Sequence, residues 1–292
     1  MKFEGIMPAL ITPLNEDQSV NIPVYERLID DLVKKGADGF YIGGATGEGI
    51  NLKTEERMKL AEAAVKRIGG RASSIVQVAA YDFNDAIRLA KHAESIGADA
   101  ISATAPLFFT YDQNDIFNYY KKLAEAVSIP MMMYYNPAAG FQFTADFAAR
   151  VFEIDNVTAI KWTSPNFYEM LRLKDLTQGD MNVMNGPDEM LLMGLSAGAD
   201  GGIGSTYNFQ LENIKAVYNH FKAGDMAAAR AAQTKADRII YAHLRYKVIP
   251  VTKVILEAMG YPVGYPTFPQ TRYTAEEKSR IIDEMRAAGL EI

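Results

Sequence analysis

The sequence predicts an α/β protein, a (β/α)8 TIM barrel followed by a C-terminal helical appendage. Eight short apolar runs rich in β-forming residues recur through the first two-thirds of the chain, and stretches with apolar residues at helical spacing lie between most of them. The tripeptide Gly-Ala-Asp at 36–38, 97–99 and 198–200 closes a helical stretch each time. An open doubly wound sheet would share this alternation, but a count of eight favours a closed barrel.

The elements follow one another in the order that a parallel barrel requires, because each parallel pair of strands needs a helical crossover. The predicted strands are 7–11, 39–43, 74–79, 100–104, 130–135, 159–163, 182–185 and 201–204. The predicted helices between them are 24–35, 54–67, 84–95, 115–127 and 189–196.

After Tyr207 the pattern becomes helical throughout. Residues 211–222, 226–242 and 251–259 have helical spacing without strands between them, and a Pro- and Gly-rich segment at 260–269 precedes a last helix at 275–288. We therefore expect a catalytic barrel at 1–208 and a helical extension at 209–292 that packs on it.

Composition excludes several classes of function. The 292 residues are 49% hydrophobic and 23% charged, so we expect a globular protein. The net charge is −6, and acidic and basic residues are interspersed along the chain without a basic cluster, so we expect no binding to nucleic acid. The chain has no apolar run of about 18 residues that could span a membrane. It has no cysteine and no exported-type N-terminus, which favours the cytoplasm. The three histidines lie in predicted helices without i, i+4 partners, so we expect no metal site.

Catalytic groups of such barrels lie where strands end, and Lys161 is the most informative residue at these positions. An ammonium group near the end of a buried strand costs several kcal/mol if it is charged and unpaired. Burial favours the neutral amine, which can attack a ketone to form a Schiff base. The alternative is that Lys161 pairs with an acid or reaches the surface.

Two other strand ends carry candidate groups. Tyr134 and Tyr135 end one strand, and alternation directs one of them into the barrel, where a phenol could act as general acid and base, and the other into the surrounding layer. The glycine-rich turn at 43–49 does not match the dinucleotide-binding spacing G-x-G-x-x-G. Gly44 and Gly49 have the P-loop spacing, but Ile50-Asn51 follows them where Lys-Ser or Lys-Thr is needed, so nucleotide binding is disfavoured. The N–H groups of the turn and the Thr46 hydroxyl could instead hold a small carboxylate, unless the segment is only a βα turn.

At these strand ends, and over nearly its whole length, the chain resembles the N-acetylneuraminate lyase and dihydrodipicolinate synthase family of pyruvate-handling barrels. The turn at 44–48 is similar to the carboxylate-binding loop of that family, Tyr135-Asn136 to its proton-transfer tyrosine, and Lys161 to its Schiff-base lysine. The resemblance implies a carbon-carbon lyase that uses small-molecule substrates, needs no metal or organic cofactor and forms a homotetramer.

Within the family, residues 185–208 are similar to the members that cleave N-acetylneuraminate reversibly to pyruvate and N-acetylmannosamine. This resemblance implies that Ala45 and Thr46 bind the carboxylate and that the remaining substrate contacts come from Thr163, Gly186, Asp188, Glu189 and Ser205. The alternative for the two acids is that they only cap the helix that follows them.

The chain departs from the family pattern at three places. Ala45 replaces a frequent Ser or Thr, Phe108-Phe109 replaces a pair that often includes a relay tyrosine, and the segment after Tyr135 is shorter than in the lyases. Residues 137–140 also lack the arginine usual in the synthases, which disfavours that activity. Another 2-keto-3-deoxy sugar-acid aldolase and a catalytically silent sugar-acid-binding relative stay as alternatives.

Overall fold

Eight parallel strands form the centre of the computed structural model, which describes residues 2–292. Each predicted strand is present, and the largest shift is at the first one, which starts two residues and ends three residues earlier than predicted. The strands are β1 (Gly5–Pro8), β2 (Gly39–Ile42), β3 (Ser73–Gln77), β4 (Ala100–Thr104), β5 (Met131–Tyr135), β6 (Val157–Trp162), β7 (Asn182–Asn185) and β8 (Gly201–Gly204).

The sheet closes on itself. Its strands are paired in the order β1-β8-β7-β6-β5-β4-β3-β2. The two ends of this order meet through a parallel bridge between Ala9 and Tyr41, where the N–H of Leu10 donates to the carbonyl of Tyr41 at 2.9 Å. The predicted barrel is therefore confirmed over the open doubly wound sheet.

Helices follow the strands on the outside of the barrel. They are α1 (Ile22–Lys34), α2 (Thr54–Ile68), α3 (Phe83–Ser95), α4 (Gln113–Ala124), α5 (Ala145–Phe152), α6 (Phe167–Leu176), α7 (Leu191–Ser196), α8 (Tyr207–Lys222), α9 (Met226–Leu244), α10 (Val248–Ala258) and α11 (Ala275–Ala287). Two of them, α5 and α6, are missing from the predicted set. Helix α5 has only 8 residues. Helix α6 has two large apolar residues, Tyr168 and Leu171, on its exposed face, so its sequence does not alternate clearly between an apolar and a polar face. No helix within residues 2–292 is long and apolar enough to cross a membrane.

The expected boundary between the barrel and the helical extension, at residue 209, falls inside helix α8. Helix α8 starts at Tyr207, directly after β8, and packs against β1. We therefore assign it as the eighth barrel helix, because it follows β8 and covers β8 and β1 from outside. We place the boundary after Lys222, so that α9, α10 and α11 form the extension.

The repeated Gly-Ala-Asp tripeptide has the same role at all three positions. Each glycine follows a helix with φ between 80° and 94°, a left-handed backbone that favours glycine. Each aspartate accepts a hydrogen bond of 2.7–2.8 Å from a backbone N–H in the neighbouring strand: Asp38 from Ile6, Asp99 from Ser74 and Asp200 from Val183. The repeat thus fixes strand pairing at the amino end of the barrel.

Alternation divides the core into two layers. Side chains of one parity fill the barrel interior, and those of the other parity pack between the strands and the helices. The interior layer consists of Phe3, Met7, Ala9, Tyr41, Ile75, Ala100, Met132, Tyr134, Ala159, Met184 and Ile203.

Candidate active site

Lys161 is buried in the barrel interior. It lies on β6 two residues after Ala159, which belongs to the interior layer, and only 6% of its surface is exposed. Its Nζ is 4.5 Å from the ring centre of Tyr134 and 4.9 Å from that of Tyr41. Lys161 forms no salt bridge with any residue of 2–292. The alternative in which Lys161 pairs with an acid or reaches the surface is therefore wrong.

The interior tyrosine is Tyr134, and the assignment of proton transfer to Tyr135 is not supported by its position. Tyr134 pairs with Lys161 across β5 and β6 and belongs to the interior layer. Tyr135 faces the outer layer, where its ring stacks on Phe143 at 4.8 Å and its hydroxyl donates to Gln142 Oε1 at 3.0 Å. The family motif points to Tyr135, whereas the side-chain period of two places the neighbouring Tyr134 in the interior.

Electrostatics also disfavours Tyr135 as the acid and base. Burial raises the pKa of Tyr135 above its usual value, although a hydrogen bond with Ser164 opposes this effect. A phenol that transfers protons near neutral pH needs a lowered pKa instead. Tyr134, which lies beside Lys161 in the interior, is therefore the better candidate by position.

Tyr41 is a site residue that the sequence interpretation missed. Its hydroxyl donates to Ser102 Oγ at 2.9 Å, and its ring meets that of Tyr134 edge-on, with 5.9 Å between the ring centres. A Cβ added to Gly44 would lie 2.5 Å from the ring of Tyr41, so glycine is needed at the start of the turn. Alternation along β2 was the available signal, since Tyr41 has the interior parity.

The turn after β2 presents two backbone donors. The side chain of Ala45 is exposed and that of Thr46 is half-buried. The N–H groups of both residues donate no hydrogen bond within the described part of the chain. The turn is held in shape by Thr12 Oγ1, which donates to the Gly47 carbonyl at 2.6 Å, and by a bond of 3.0 Å from Glu48 N to the Ala45 carbonyl. Adjacent N–H groups in such a turn can bind a carboxylate.

Three further predicted residues share the parity of the interior layer. Each comes two positions after an inward-facing residue of its strand: Thr163 after Lys161, Gly186 after Met184, and Ser205 after Ile203. The buried Oγ1 of Thr163 has no hydrogen-bond partner among residues 2–292. A Cβ on Gly186 would lie 2.0 Å from that oxygen, so only glycine leaves the hydroxyl in place.

Asp188 is buried at the same end of the barrel, in the 3₁₀ helix Asp188–Met190, with 6% of its surface exposed. Its Oδ2 accepts hydrogen bonds from the N–H and the hydroxyl of Thr206, at 2.8 and 2.6 Å. The carboxylate thus binds the loop before α8 and makes no capping bond to its own 3₁₀ helix. Its neighbour Glu189 is half-buried.

Burial raises the pKa of Asp188 from 3.8 to about 6, although the bonds from Thr206 and the positive charge of Lys161 oppose the rise. A carboxyl group whose pKa is higher in the folded than in the unfolded state binds more protons when folded. The stability that it contributes is therefore present below pH 4 and is lost as the pH rises towards 6. The shift corresponds to about 3 kcal/mol.

Two of the three histidines, His92 and His243, have side-chain partners. His243 is buried and contacts Thr252 Oγ1 at 2.9 Å, and burial lowers its pKa to about 4. His92 contacts Glu62 Oε1 at 2.8 Å. Within the described residues, no three His, Cys, Asp or Glu side chains are grouped so that they could hold a metal ion.

The two phenylalanines that depart from the family pattern lie on the surface. Phe108 has a positive φ of 81° and is 87% exposed, and Phe109 is 69% exposed. Tyr81 is 70% exposed. Large apolar side chains at this level of exposure are typical of contact surfaces when they form a patch.

Comparison with known proteins places this geometry in a family context. The model of the dihydrodipicolinate synthetase family matches residues 2–288. An N-acetylneuraminate lyase of Rhizobium meliloti is 34% identical over 264 residues, which cover 90% of this chain and 88% of that protein.

Solved structures give the same picture. The N-acetylneuraminate lyase of Proteus mirabilis superimposes with a TM-score of 0.95 at 30% identity, covering 100% of both chains. That of Aliivibrio salmonicida superimposes with a TM-score of 0.95 at 28% identity, covering 100% of this chain and 99% of the other.

Proposed function

This chain belongs to the dihydrodipicolinate synthetase family, and on that premise we propose that it cleaves N-acetylneuraminate reversibly to pyruvate and N-acetylmannosamine. The protein is an enzyme, a lyase of the aldolase type. The observation that carries the proposed mechanism is Lys161, a buried amine without an acidic partner in residues 2–292, beside the interior Tyr134.

In the proposed reaction, the Lys161 amine attacks the C2 ketone of the open-chain sugar acid, and water leaves to give an iminium. Tyr134 takes the proton of the C4 hydroxyl as the C3–C4 bond breaks. The electron pair of that bond enters the iminium to form an enamine, and the C4 fragment leaves as an aldehyde. Protonation at C3 and hydrolysis of the imine then release pyruvate and restore the amine.

Substrate selection follows from the residues around these two groups. The N–H groups of Ala45 and Thr46, with the Thr46 hydroxyl, hold the carboxylate. Asp188 and Glu189 accept hydrogen bonds from the sugar hydroxyls. Such contacts disfavour a substrate that lacks those hydroxyls, because the buried acceptors would then be unpaired. The remaining contacts come from Thr163, Gly186 and Ser205.

The main alternative is that the protein is an aldolase for another sugar acid. Ala45 provides no hydroxyl to the carboxylate site, and residues 137–140 offer no cation for a second substrate carboxylate. The missing hydroxyl at Ala45 is compatible with another 2-keto-3-deoxy sugar acid as the substrate. The missing cation at residues 137–140 disfavours synthase activity. Retention of an interior lysine and tyrosine argues against a silent binding protein.

The proposed working form is a homotetramer in the cytoplasm. The exposed aromatic side chains of Tyr81, Phe108 and Phe109 support self-association, because such groups gain from burial against a second copy. The absence of cysteine from the sequence is compatible with a reducing compartment. Sedimentation velocity at several protein concentrations measures the assembly, and a monomer at all of them would contradict it.

Two measurements test the function. Borohydride added with pyruvate should reduce an imine to a stable secondary amine, and peptide mass spectrometry should locate the adduct on Lys161. Steady-state pyruvate release should then be measured for N-acetylneuraminate and for shorter 2-keto-3-deoxy sugar acids. An adduct elsewhere removes the mechanism, whereas cleavage of only a shorter acid removes the substrate and keeps the mechanism.

A further inference from the structure

Lys253 of the helical extension is buried against the turn that carries the proposed carboxylate site. It lies on α10, and only 2% of its side chain is exposed. Its Nζ is 3.0 Å from Glu48 Oε1 and also donates to the Tyr265 carbonyl at 2.8 Å. The other oxygen of Glu48 accepts bonds of 2.6 and 2.7 Å from the N–H and hydroxyl of Thr267. Both oxygens of this carboxylate are therefore held by the C-terminal part of the chain.

The contacts of the Glu48 carboxylate with Lys253 and Thr267 stabilise the shape of the turn. The backbone of Glu48 is left-handed, with φ at 57°, and its N–H closes the turn on the Ala45 carbonyl at 3.0 Å. A non-glycine residue keeps such a conformation only where its surroundings enforce it. Here the buried pair with Lys253 supplies this constraint, and the donors of Ala45 and Thr46 lie within the constrained turn.

Gln233 of α9 makes an independent contact with the other half of the site. The residue is 5% exposed, and its amide contacts both ends of the segment from Asp188 to Leu192. Its Oε1 accepts from Leu192 N at 3.0 Å, and its Nε2 donates to the Asp188 carbonyl at 3.3 Å and to Asp237 Oδ1 at 2.7 Å. Glu189 lies between the two ends that this one amide holds.

We propose that the helical extension positions the two halves of the active site separately, through Lys253 for the carboxylate-binding turn and Gln233 for the segment that holds the sugar. Both are positioning residues that act through groups they contact. The inference rests on the proposed function for the identity of the two ligands. Its physical basis is that binding groups work only when a second layer of contacts fixes their geometry.

The test compares Lys253→Met and Gln233→Met with Lys235→Met, a substitution at an exposed position of α9. Borohydride trapping at graded pyruvate concentrations measures the first half, and kcat and KM for N-acetylneuraminate measure the second. Lys253→Met should raise the half-saturating pyruvate concentration about 10- to 100-fold, the usual cost of losing a supporting contact. Gln233→Met should leave pyruvate trapping within about twofold and raise KM for the sugar acid by a similar 10- to 100-fold. Lys235→Met should change neither.

Lys253→Met should weaken binding of the sugar acid as well, because the carboxylate of the sugar acid binds the same turn. Equal effects of Gln233→Met on pyruvate trapping and on KM for the sugar acid, or no effect of either variant, would overturn the proposal. If Lys253→Met fails to fold because the Glu48 carboxylate is left unpaired, the double variant Glu48→Gln with Lys253→Met removes both charges and should still weaken pyruvate trapping. The proposed function fails separately, if the wild-type protein cleaves a different acid. The Gln233 comparison is then made with that acid. A wild-type protein that traps pyruvate but cleaves no acid overturns the Gln233 half alone.

Discussion

Substituting the two adjacent tyrosines one at a time tests the assignment of proton transfer. Tyr134→Phe keeps the ring over which Lys161 Nζ lies at 4.5 Å and removes only the hydroxyl. We expect pyruvate trapping to persist and turnover to fall by roughly 10²–10⁴-fold, the range for a positioned general acid or base. This corresponds to about 3–5 kcal/mol in the activation barrier.

Tyr135→Phe is the matched control, because it removes a hydroxyl one residue away in the outer layer. The ring should still stack on Phe143 and contact Trp162, both at 4.8 Å between ring centres. The hydrogen bonds of the hydroxyl with Gln142 and Ser164 are lost, each at a cost of about 0.5–1.5 kcal/mol in the free energy of unfolding. Turnover should change by less than about tenfold, since no group in the interior is altered.

The assay couples pyruvate release to oxidation of NADH by lactate dehydrogenase, with borohydride trapping measured on the same preparations. Urea unfolding of both variants shows that each is folded. A large loss of turnover in Tyr135→Phe together with near-normal turnover in Tyr134→Phe would refute the assignment by layer. It would restore the assignment based on the family motif.

Three further predictions concern single residues. Glu189→Gln should lower kcat/KM for N-acetylneuraminate and leave pyruvate trapping unchanged. The loss of transition-state stabilisation should be about 1.5–3 kcal/mol for each charge-assisted hydrogen bond removed. Equal losses in both assays would contradict this prediction. In the wild-type protein, the Asp188 carboxyl should lower the free energy of unfolding by about 3 kcal/mol between pH 4 and 7, and Asp188→Asn should remove this decline. Urea unfolding at several pH values measures it. If the pH profiles of the wild type and the variant are parallel, the pKa of Asp188 is not raised. Lys161→Met should abolish pyruvate trapping. The variant should unfold at an equal or higher urea concentration than the wild type, because an apolar side chain of similar length replaces a buried ammonium group. A clear loss of stability would indicate that Lys161 has a structural partner.

Comparison of the predicted and observed elements shows which features local patterning can specify. The eight strands and most helices were predictable, because their apolar periodicity and the glycines after α1, α3 and α7 are local signals. The short α5 and the partly apolar surface of α6 carry weak periodicity, so they were missed. The sequence pattern alone does not separate α8 from the extension, because both are helical and only the position of α8 after β8 distinguishes it.

The sequence by itself determined the residue types of the site and the strand end where each one lies. Lys161, Thr163, Gly186 and Asp188 could all be proposed from that information. It also predicted that one of the two adjacent tyrosines faces the interior. Which one does so depends on strand pairing, since the register of β5 with β6 places Tyr134 beside Lys161.

Long-range packing decided what no local pattern contains. The contacts of Lys253 with Glu48 and of Gln233 with Leu192 join residues 205 and 41 positions apart in the chain (253 − 48 and 233 − 192). Neither pair has a sequence signature, because each depends on how the extension packs against the barrel. The physical reason is that alternation and periodicity fix the direction of a side chain relative to its own element, whereas its partner is fixed only when elements pack together.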